Sequence, residues 1–245
     1  MRRFFVEEMD ERSTEVELTG DEFYHLNKVL RLDRGASVRL FNGRGLELTG
    51  VIDTLGKSSA VVVIEGLADS VKESPLSLVL LQALIKGDKP DFIVQKATEL
   101  GVKEVCFYQT PRTVARVEAE RAGTRLHRWK KVSIEAAKQC GRSVLPEIRL
   151  APDLKVALES CSDGLRLQLW EKTGAAGLKD TLAAANGALK VAVLVGPEGG
   201  LSNEEAREAE TKGFRKVGLG PRILRAETAA VAVLSIVQHA LGDLN

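Results

Sequence analysis

The 245-residue chain has little of what marks membrane or secreted proteins. Its most apolar helix candidate, residues 226–241, would span about 24 Å, which is shorter than the roughly 30 Å core of a bilayer. Arg2 and Arg3 are followed by Glu7, Glu8 and Asp10 instead of the apolar segment of a secretion signal. We therefore expect a cytoplasmic protein with no membrane partner.

Cysteine, histidine and aromatic residues are also scarce. The cysteines and histidines are Cys106, Cys140, Cys161, His25, His127 and His239. The cysteines show no C-x-x-C spacing and are odd in number, which predicts reduced, buried thiols and no catalytic nucleophile. No two histidines are four residues apart, so no metal site is expected. Aromatic residues make up only 4% of the chain, which argues against a large base-stacking platform for RNA.

The net charge of +1 excludes a protein that coats nucleic acid over its whole surface. The charges are nevertheless uneven. Residues 25–44 contain five Lys or Arg against one acid, and residues 112–142 contain nine against three. Local basic patches on a near-neutral protein suit a selective polyanion partner, although solvated helix and strand faces are an equal alternative.

Two domains are predicted, with a boundary in the polar connector ADSVKESPL at residues 68–76. Residues 1–72 contain five or six short β-like runs separated by Gly and Asn turns, with one helical segment at 21–32. This pattern is typical of a small barrel or sandwich that binds a partner. In residues 73–245 strands alternate with helices, which predicts an α/β domain with a parallel sheet.

Two loops near the C-terminus are the best candidates for a functional site. Residues 196–201 (GPEGGL) and 218–228 (GLGPRILRAET) each follow a short apolar strand and lead into a helix. Ser202 and Glu205 fit a capping box that would start the first of these helices. In an α/β sheet, ligands bind at the carboxyl ends of the strands, so we expect these loops to share one ligand.

The loop sequences restrict the chemistry of that ligand. GPEGG matches neither G-x-G-x-x-G nor the Walker A pattern, and Glu198 would repel a phosphate. A ligand with hydroxyls, an amide edge or a cation fits better. Ile223 and Leu224 are suited to holding a flat base, with Arg222 and Arg225 facing an anionic partner. The helix that follows is apolar nearly all round, and burial against a second subunit is one way to cover it.

LVGPEGGLSNEE (194–205) and GLGPRILRAETAA (218–230) together resemble the C-terminal motifs of the bacterial small-subunit (16S) ribosomal RNA uridine-N3 methyltransferases, members of the SPOUT superfamily. Other segments extend the resemblance over nearly the whole chain: MRRFFVEE, HLNKVLRLDRG, FNGRG, ESPL, KGDKPDFIVQKATELGV and EAAKQCGRSVLPEI. The resemblance implies an N-terminal PUA-like β-barrel that binds RNA and a C-terminal trefoil-knotted α/β methyltransferase domain. It also implies an obligate homodimer, S-adenosyl-L-methionine as methyl donor, and 16S ribosomal RNA within the small subunit as substrate.

The resemblance also implies roles for individual residues. The expected donor-binding residues are Leu169, Trp170, Val195, Gly196, Pro197, Glu198, Gly199, Gly200, Leu201, Leu219, Gly220, Ile223, Leu224, Arg225 and Thr228. Glu171 is a weaker candidate beside Trp170. For RNA binding, we expect Arg2, Arg3, Lys28 and Arg31 to contact phosphates, with Lys86, Arg112 and Arg142 nearer the target base.

Methylation of uracil N3 places negative charge on the two flanking carbonyl oxygens as the N3 proton leaves, and a nearby guanidinium would stabilise that charge. Arg225 is the first candidate for this catalytic role and Arg142 the second. Glu227 or Glu198 would accept the proton or orient the arginines, and the sequence does not decide between these roles.

Other functions remain open at this point. A knotted methyltransferase acting on ribose 2′-O or on transfer RNA would share the two loops. A non-catalytic RNA-binding assembly factor would keep the basic patches without the donor site. A nucleotide-hydrolysing α/β protein is disfavoured because the phosphate-binding loop is missing.

Overall fold

A computed structural model describes residues 2–69, 73–112, 117–161, 163–185 and 187–244. The chain divides into two compact units. The first contains Met1–Glu73 and Ala137–Leu145, and the second contains Ser74–Ala136 and Pro146–Asn245. The domain boundary between residues 72 and 73 stays a prediction, and the inclusion of Ala137–Leu145 in the first unit was not part of it.

The first unit is built on a mixed five-stranded sheet of order β1-β3-β4-β5-β2. Its elements are β1 (Arg2–Phe5), β2 (Glu15–Leu18), α1 (Gly20–Tyr24), a π-helical turn (His25–Val29), β3 (Ser37–Phe41), β4 (Glu47–Leu55) and β5 (Ala60–Leu67). Only β1 and β3 pair in parallel; the remaining pairs are antiparallel. Alternate residues such as Val38 and Leu40 are fully buried with Phe4 and Leu26, as expected for strands with one face on a core.

The second unit contains a seven-stranded sheet in which every pair is parallel, with the order β10-β12-β9-β11-β6-β7-β8. Its strands are β6 (Ser77–Ala83), β7 (Glu104–Tyr108), β8 (Glu147–Ala151), β9 (Leu165–Leu169), β10 (Ala176–Gly177), β11 (Lys190–Val195) and β12 (Arg215–Gly218). Its helices are α2 (Lys89–Glu99), α3 (Ala119–Cys140, whose C-terminal end falls in the first unit), α4 (Leu154–Glu159), α5 (Leu178–Ala184), α6 (Asn203–Thr211) and α7 (Ala226–Leu241).

Both faces of this sheet are covered, as an all-parallel sheet requires. Leu78 and Leu80 of β6 pack into one core with α2, α5, α7 and Trp129 of α3. Leu81 and Ala83 pack into a second core with α4 and α6. The predicted alternation of strands and helices is therefore confirmed, although the short β10 had no signal in the sequence.

The strand order sets the position of the candidate site. β11 lies between β9 and β6, and β12 pairs with the other edge of β9. The carboxyl ends of β9, β11 and β12 therefore lie side by side, although 20 residues separate the end of β9 from the start of β11 along the chain. The loops that follow these strands are brought together at this edge.

The capping box predicted for α6 is present. Ser202 Oγ accepts the Glu205 N–H at 3.0 Å, and Glu205 Oε2 accepts the Ser202 N–H at 2.6 Å. This reciprocal pair fixes where the loop of residues 196–201 ends and α6 begins.

Replacing Ser202 by alanine is expected to lower the free energy of unfolding by about 1 kcal/mol, because the Glu205 N–H loses its acceptor at the helix start. Urea unfolding followed by circular dichroism measures the change. Ser58→Ala is the matched control, since Ser58 is exposed and far along the chain from α6. Equal stability of the two variants would contradict the prediction.

Candidate functional site

A cleft of about 300 Å³ opens at the carboxyl ends of β9, β11 and β12, beside the start of α7. All but two of the fifteen residues predicted from the sequence to bind the donor line this cleft: Leu169, Trp170, Val195, Gly196, Pro197, Glu198, Gly199, Gly200, Leu201, Leu219, Gly220, Ile223 and Leu224. Arg225 and Thr228, the two exceptions, are exposed at the beginning of α7. The structure thus brings three separate segments to one cavity, and the ligand that they bind stays a prediction.

Six further lining residues were not among those fifteen: Glu171, which was named as a weaker candidate, and Val217, Pro221, Arg222, Ala226 and Ala229. Two of the others had a signal in the sequence. Ala226 and Ala229 are three residues apart at the start of an apolar helix, and that spacing places them on one face. Their small side chains leave room for the cleft.

The glycines of the first loop allow its backbone to approach other groups closely. Gly200 has a φ of +67°, and an added Cβ would overlap the Glu171 carboxylate, lying 3.0 Å from Cδ. At Gly196 an added Cβ would lie 2.9 Å from the backbone nitrogen of Leu201. Any side chain at these two positions would therefore push the loop or Glu171 from its place.

Two hydrogen bonds hold the loop to neighbouring strands. Glu198 Oε1 accepts the Lys86 N–H at 3.2 Å, which ties the loop to the chain that follows β6. Tyr108 donates its hydroxyl to the carbonyl oxygen of Val195 at 2.9 Å. Burial raises the pKa of Tyr108 well above its usual value, so the hydroxyl remains a donor across the physiological range.

Trp170 forms one wall of the cleft and is only 7% exposed. The ammonium groups of Lys172 and Lys216 lie 4.6 and 4.9 Å from the centre of its ring. Such cation–π contacts fix the ring orientation and thereby the shape of this wall.

The predicted catalytic residues occupy different places. Arg225 is the N-cap of α7, exposed and next to two lining residues, Leu224 and Ala226. Glu227, in the first turn of α7, forms an ion pair with Lys89 at 3.2 Å. Its second oxygen, Oε2, is buried and has no hydrogen-bond partner among the described residues. Glu227 does not line the cleft, so its assignment as proton acceptor is not favoured by its position.

Arg142, the second catalytic candidate, belongs to the first unit and is 5% exposed. Its guanidinium binds the Glu73 carboxylate, with NH2 and Oε2 2.7 Å apart. It is not among the residues that line the cleft. The guanidinium is engaged by the Glu73 carboxylate within the first unit, and a catalytic role for Arg142 stays a prediction that this geometry does not favour.

The guanidinium of Arg3, a predicted RNA contact, is likewise bound by other groups of the first unit. Its guanidinium donates to both carboxylate oxygens of Glu47, at 3.0 and 2.9 Å, and also to the carbonyl oxygens of Ala137 and Arg142. Burial of the pair leaves few donors for a phosphate. The other predicted RNA contacts, Arg2, Lys28, Arg31, Lys86 and Arg112, are all exposed.

The three cysteines are free thiols. Cys106 and Cys161 are buried, and burial raises the pKa of the Cys106 thiol to about 11. The thiol is therefore protonated, and so a poor nucleophile, at any pH below that value. Among the described residues, no cluster of His, Cys, Asp or Glu suited to a metal ion occurs. No helix in the described part of the chain is long and apolar enough to cross a membrane.

Comparison with known proteins gives a consistent result. A family model described as an RNA methyltransferase domain matches residues 72–238, and a model for the RNA methyltransferase PUA domain matches residues 18–65. The chain is 28% identical to the ribosomal RNA small subunit methyltransferase E of Bacillus subtilis, over 98% of this chain and 96% of that protein.

Two solved structures share the fold over their whole length. One is a methyltransferase of Legionella pneumophila in complex with the bound cofactor SAM, with a TM-score of 0.91, 34% identity, and 99% and 98% of the two chains covered. The other is a ribosomal RNA small subunit methyltransferase E of Neisseria gonorrhoeae bound to S-adenosyl methionine, with a TM-score of 0.88, 33% identity and complete coverage of both chains.

The two neighbouring glycines of the first loop offer a matched test of its geometry. Gly200→Ala is expected to lower the free energy of unfolding by about 1 to 2 kcal/mol, because Gly200 has a left-handed backbone and its new Cβ meets Glu171. Gly199→Ala is expected to change it little, since its Cβ would meet nothing within 4 Å. Urea unfolding of both variants measures the difference, and equal losses would refute this account of the loop.

Proposed function

The chain belongs to the RNA methyltransferase family whose model matches most of it, and we propose that it transfers a methyl group from S-adenosylmethionine to N3 of a uridine in 16S ribosomal RNA. The observation that carries the proposal is the single cleft lined by both C-terminal loops and by the end of β9. Relatives that share the fold over their whole length hold S-adenosylmethionine or are named small-subunit ribosomal RNA methyltransferases. We infer a cytoplasmic location from this substrate.

The residues of the cleft fit S-adenosylmethionine. Its leucine and valine side chains suit the adenine ring, and the backbone groups of residues 196–201 suit hydroxyls. The carboxylates of Glu171 and Glu198, both of which line the cleft, suit a sulfonium cation. When bound, S-adenosylmethionine supplies an electrophilic methyl group.

Arg225 is the residue of this chain best placed to assist the transfer. It is exposed between two residues that line the cleft, and it forms no ion pair among the described residues. Its guanidinium is therefore available for the uracil carbonyl oxygens, where charge develops as N3 loses its proton. Glu227 forms an ion pair with Lys89 beside the first turn of α7 and does not line the cleft.

We also propose that the second unit contains the predicted trefoil knot. β8 forms one edge of the sheet. The chain then crosses to the far side of β6, where it forms β9, and it later returns to form β11 between β9 and β6. Insertion of a late strand between two earlier ones supports a threaded chain, which is a rare arrangement in proteins.

The homodimer is likewise proposed, with α7 at the interface. The outer side of this helix carries apolar residues that the described chain leaves partly uncovered: Val231 and Ala232 are half-buried and Ile236 is 41% exposed. Phe92 of α2, a helix that packs beside α7, is 43% exposed. A second copy of the chain would cover these side chains.

Arg225→Ala is expected to reduce methyl transfer at least a hundredfold, because the charge developing on the uracil carbonyls loses its partner, while donor affinity changes only a few-fold. A tritiated-methyl assay on small ribosomal subunits and on naked 16S ribosomal RNA measures transfer, and mass mapping identifies the nucleotide. Calorimetry with S-adenosylmethionine measures donor affinity.

Arg215→Ala is the control, since Arg215 is exposed on β12 and does not line the cleft. Loss of donor binding in Arg225→Ala would assign Arg225 to the cofactor. Failure of the unaltered protein to bind S-adenosylmethionine would favour a non-catalytic assembly factor.

Ile236→Lys is expected to convert the proposed dimer to a monomer, since a buried ammonium at the interface would lack a partner. Sedimentation velocity measures the mass. Val156→Lys is the control, because Val156 is 40% exposed but lies on α4, on the other face of the sheet. A mass that is the same for Ile236→Lys and the unaltered protein would exclude this interface.

A further inference from the structure

An exposed aromatic side chain stands at an irregular part of the first unit. Tyr24, the last residue of α1, is 63% exposed. The helix continues as a π-helical turn, in which the Leu30 N–H donates to the carbonyl oxygen of His25 at 2.9 Å. Phe23 and Leu26 are buried in the core of this unit, so the opposite side of the helix faces solvent. Val29, five residues after Tyr24, is 57% exposed on that side.

Two cations follow Tyr24 closely along the chain. Lys28 lies in the π-helical turn, Arg31 lies two residues beyond the end of that turn, and both are exposed. Neither forms an ion pair among the described residues. Arg34, three residues further on, differs because it is paired with Asp53 at 3.1 Å. The acid Glu22 in the same helix is paired with Lys138.

The backbone at Arg31 is unusual. Its φ of +51° makes it the one residue other than glycine with a positive φ in the described part of the chain. Glycine normally ends a helix in this conformation because it carries no Cβ. An arginine at this position costs backbone strain and adds an exposed guanidinium. Strain of this kind is often retained where a side chain has a function.

We propose that Tyr24 stacks on one unpaired nucleobase of the RNA substrate while Lys28 and Arg31 bind the adjoining phosphates. Together these residues form the Tyr24 patch. The inference rests on the proposed function, since it assigns part of the RNA contact to this surface. It extends that function because Tyr24 had no role in the sequence analysis, which expected only phosphate contacts here.

The chemistry of the patch favours single-stranded RNA over a duplex. The face of a base is accessible to an aromatic ring only when the base is unstacked, and a duplex presents only phosphates and hydroxyls to a flat surface. One aromatic ring beside two unpaired cations matches one base and its two flanking phosphates. Base–aromatic stacking tolerates any base, so the patch positions RNA without reading its sequence.

The test measures binding of a fluorescein-labelled twelve-nucleotide oligouridylate by anisotropy between 50 and 300 mM KCl. Tyr24→Ala is expected to weaken binding about tenfold at every salt concentration, because stacking is lost and no charge is removed. Tyr24→Phe is expected to retain affinity within about twofold. Lys28→Gln is expected to weaken binding and to reduce the slope of log affinity against log salt by about 0.7, the loss of one phosphate contact on a single strand.

The variant Arg31→Gly tests the role of the Arg31 charge in RNA binding separately from any effect on stability. Because glycine suits the positive φ, this variant is expected to unfold at the same temperature as the unaltered protein or above it. It is nevertheless expected to lose affinity for oligouridylate and about 0.7 of the salt slope. A blunt-ended twelve-base-pair RNA duplex is the control probe, and Tyr24→Ala is expected to leave its affinity unchanged.

Equal losses for Tyr24→Ala on the oligouridylate and the duplex would overturn the inference, and so would no loss on either. A change in the salt slope with Tyr24→Ala would also overturn it. Calorimetry with S-adenosylmethionine tells these outcomes apart from failure of the proposed function. If donor binding and methyl transfer persist while Tyr24→Ala has no effect, only the Tyr24 patch is refuted.

Discussion

The position of β11 is the constraint on which the candidate site depends. This strand forms six paired positions with β6 on one edge and four with β9 on the other. Because both edges are saturated with backbone hydrogen bonds and both faces are covered by helices, β11 cannot shift without breaking the core. The loop that leaves β11 therefore starts from a fixed point. The same pairing sets the distance between that loop and the loop that leaves β12.

The part of the cleft that the first loop lines needs this rigidity. Gly196, Gly199 and Gly200 line it without side chains, so its shape there depends on where the main chain lies. The capping box at Ser202, the Tyr108 hydroxyl on Val195 and the Glu198 contact with Lys86 each hold one part of that main chain. Groups that are already held in place lose little entropy when a ligand arrives, which favours binding.

The sequence predicted the α/β unit and thirteen of the nineteen residues that line the cleft because the signals were local. The order of strand, glycine loop and capped helix at residues 190–211 can be read from neighbouring residues. The family prediction is confirmed by the matching models. The strand order, by contrast, is a property of distant pairing, and nothing in the sequence near β9 indicates that β11 and not β6 will be its neighbour.

Individual charged residues were harder to assign for the same reason. Arg3 and Arg142 were both expected to contact RNA, yet each is bound to a carboxylate far along the chain, Glu47 or Glu73. Glu227 is similarly paired with Lys89. A charge count along the sequence cannot detect such partners, since burial and pairing depend on the tertiary fold.

The cations of this near-neutral protein can be divided into those that form ion pairs with carboxylates and those that do not. Those with carboxylate partners stabilise one unit and have little charge left for a polyanion. Lys28, Arg31 and Arg225 are exposed and form no ion pair among the described residues. The positive charge of each is therefore available to a phosphate or a developing anion. Net charge of +1 is therefore compatible with selective RNA binding. Ion pairs such as Arg3–Glu47 and Arg142–Glu73 neutralise part of the positive charge within the fold, so the places of the unpaired cations decide where a polyanion is attracted.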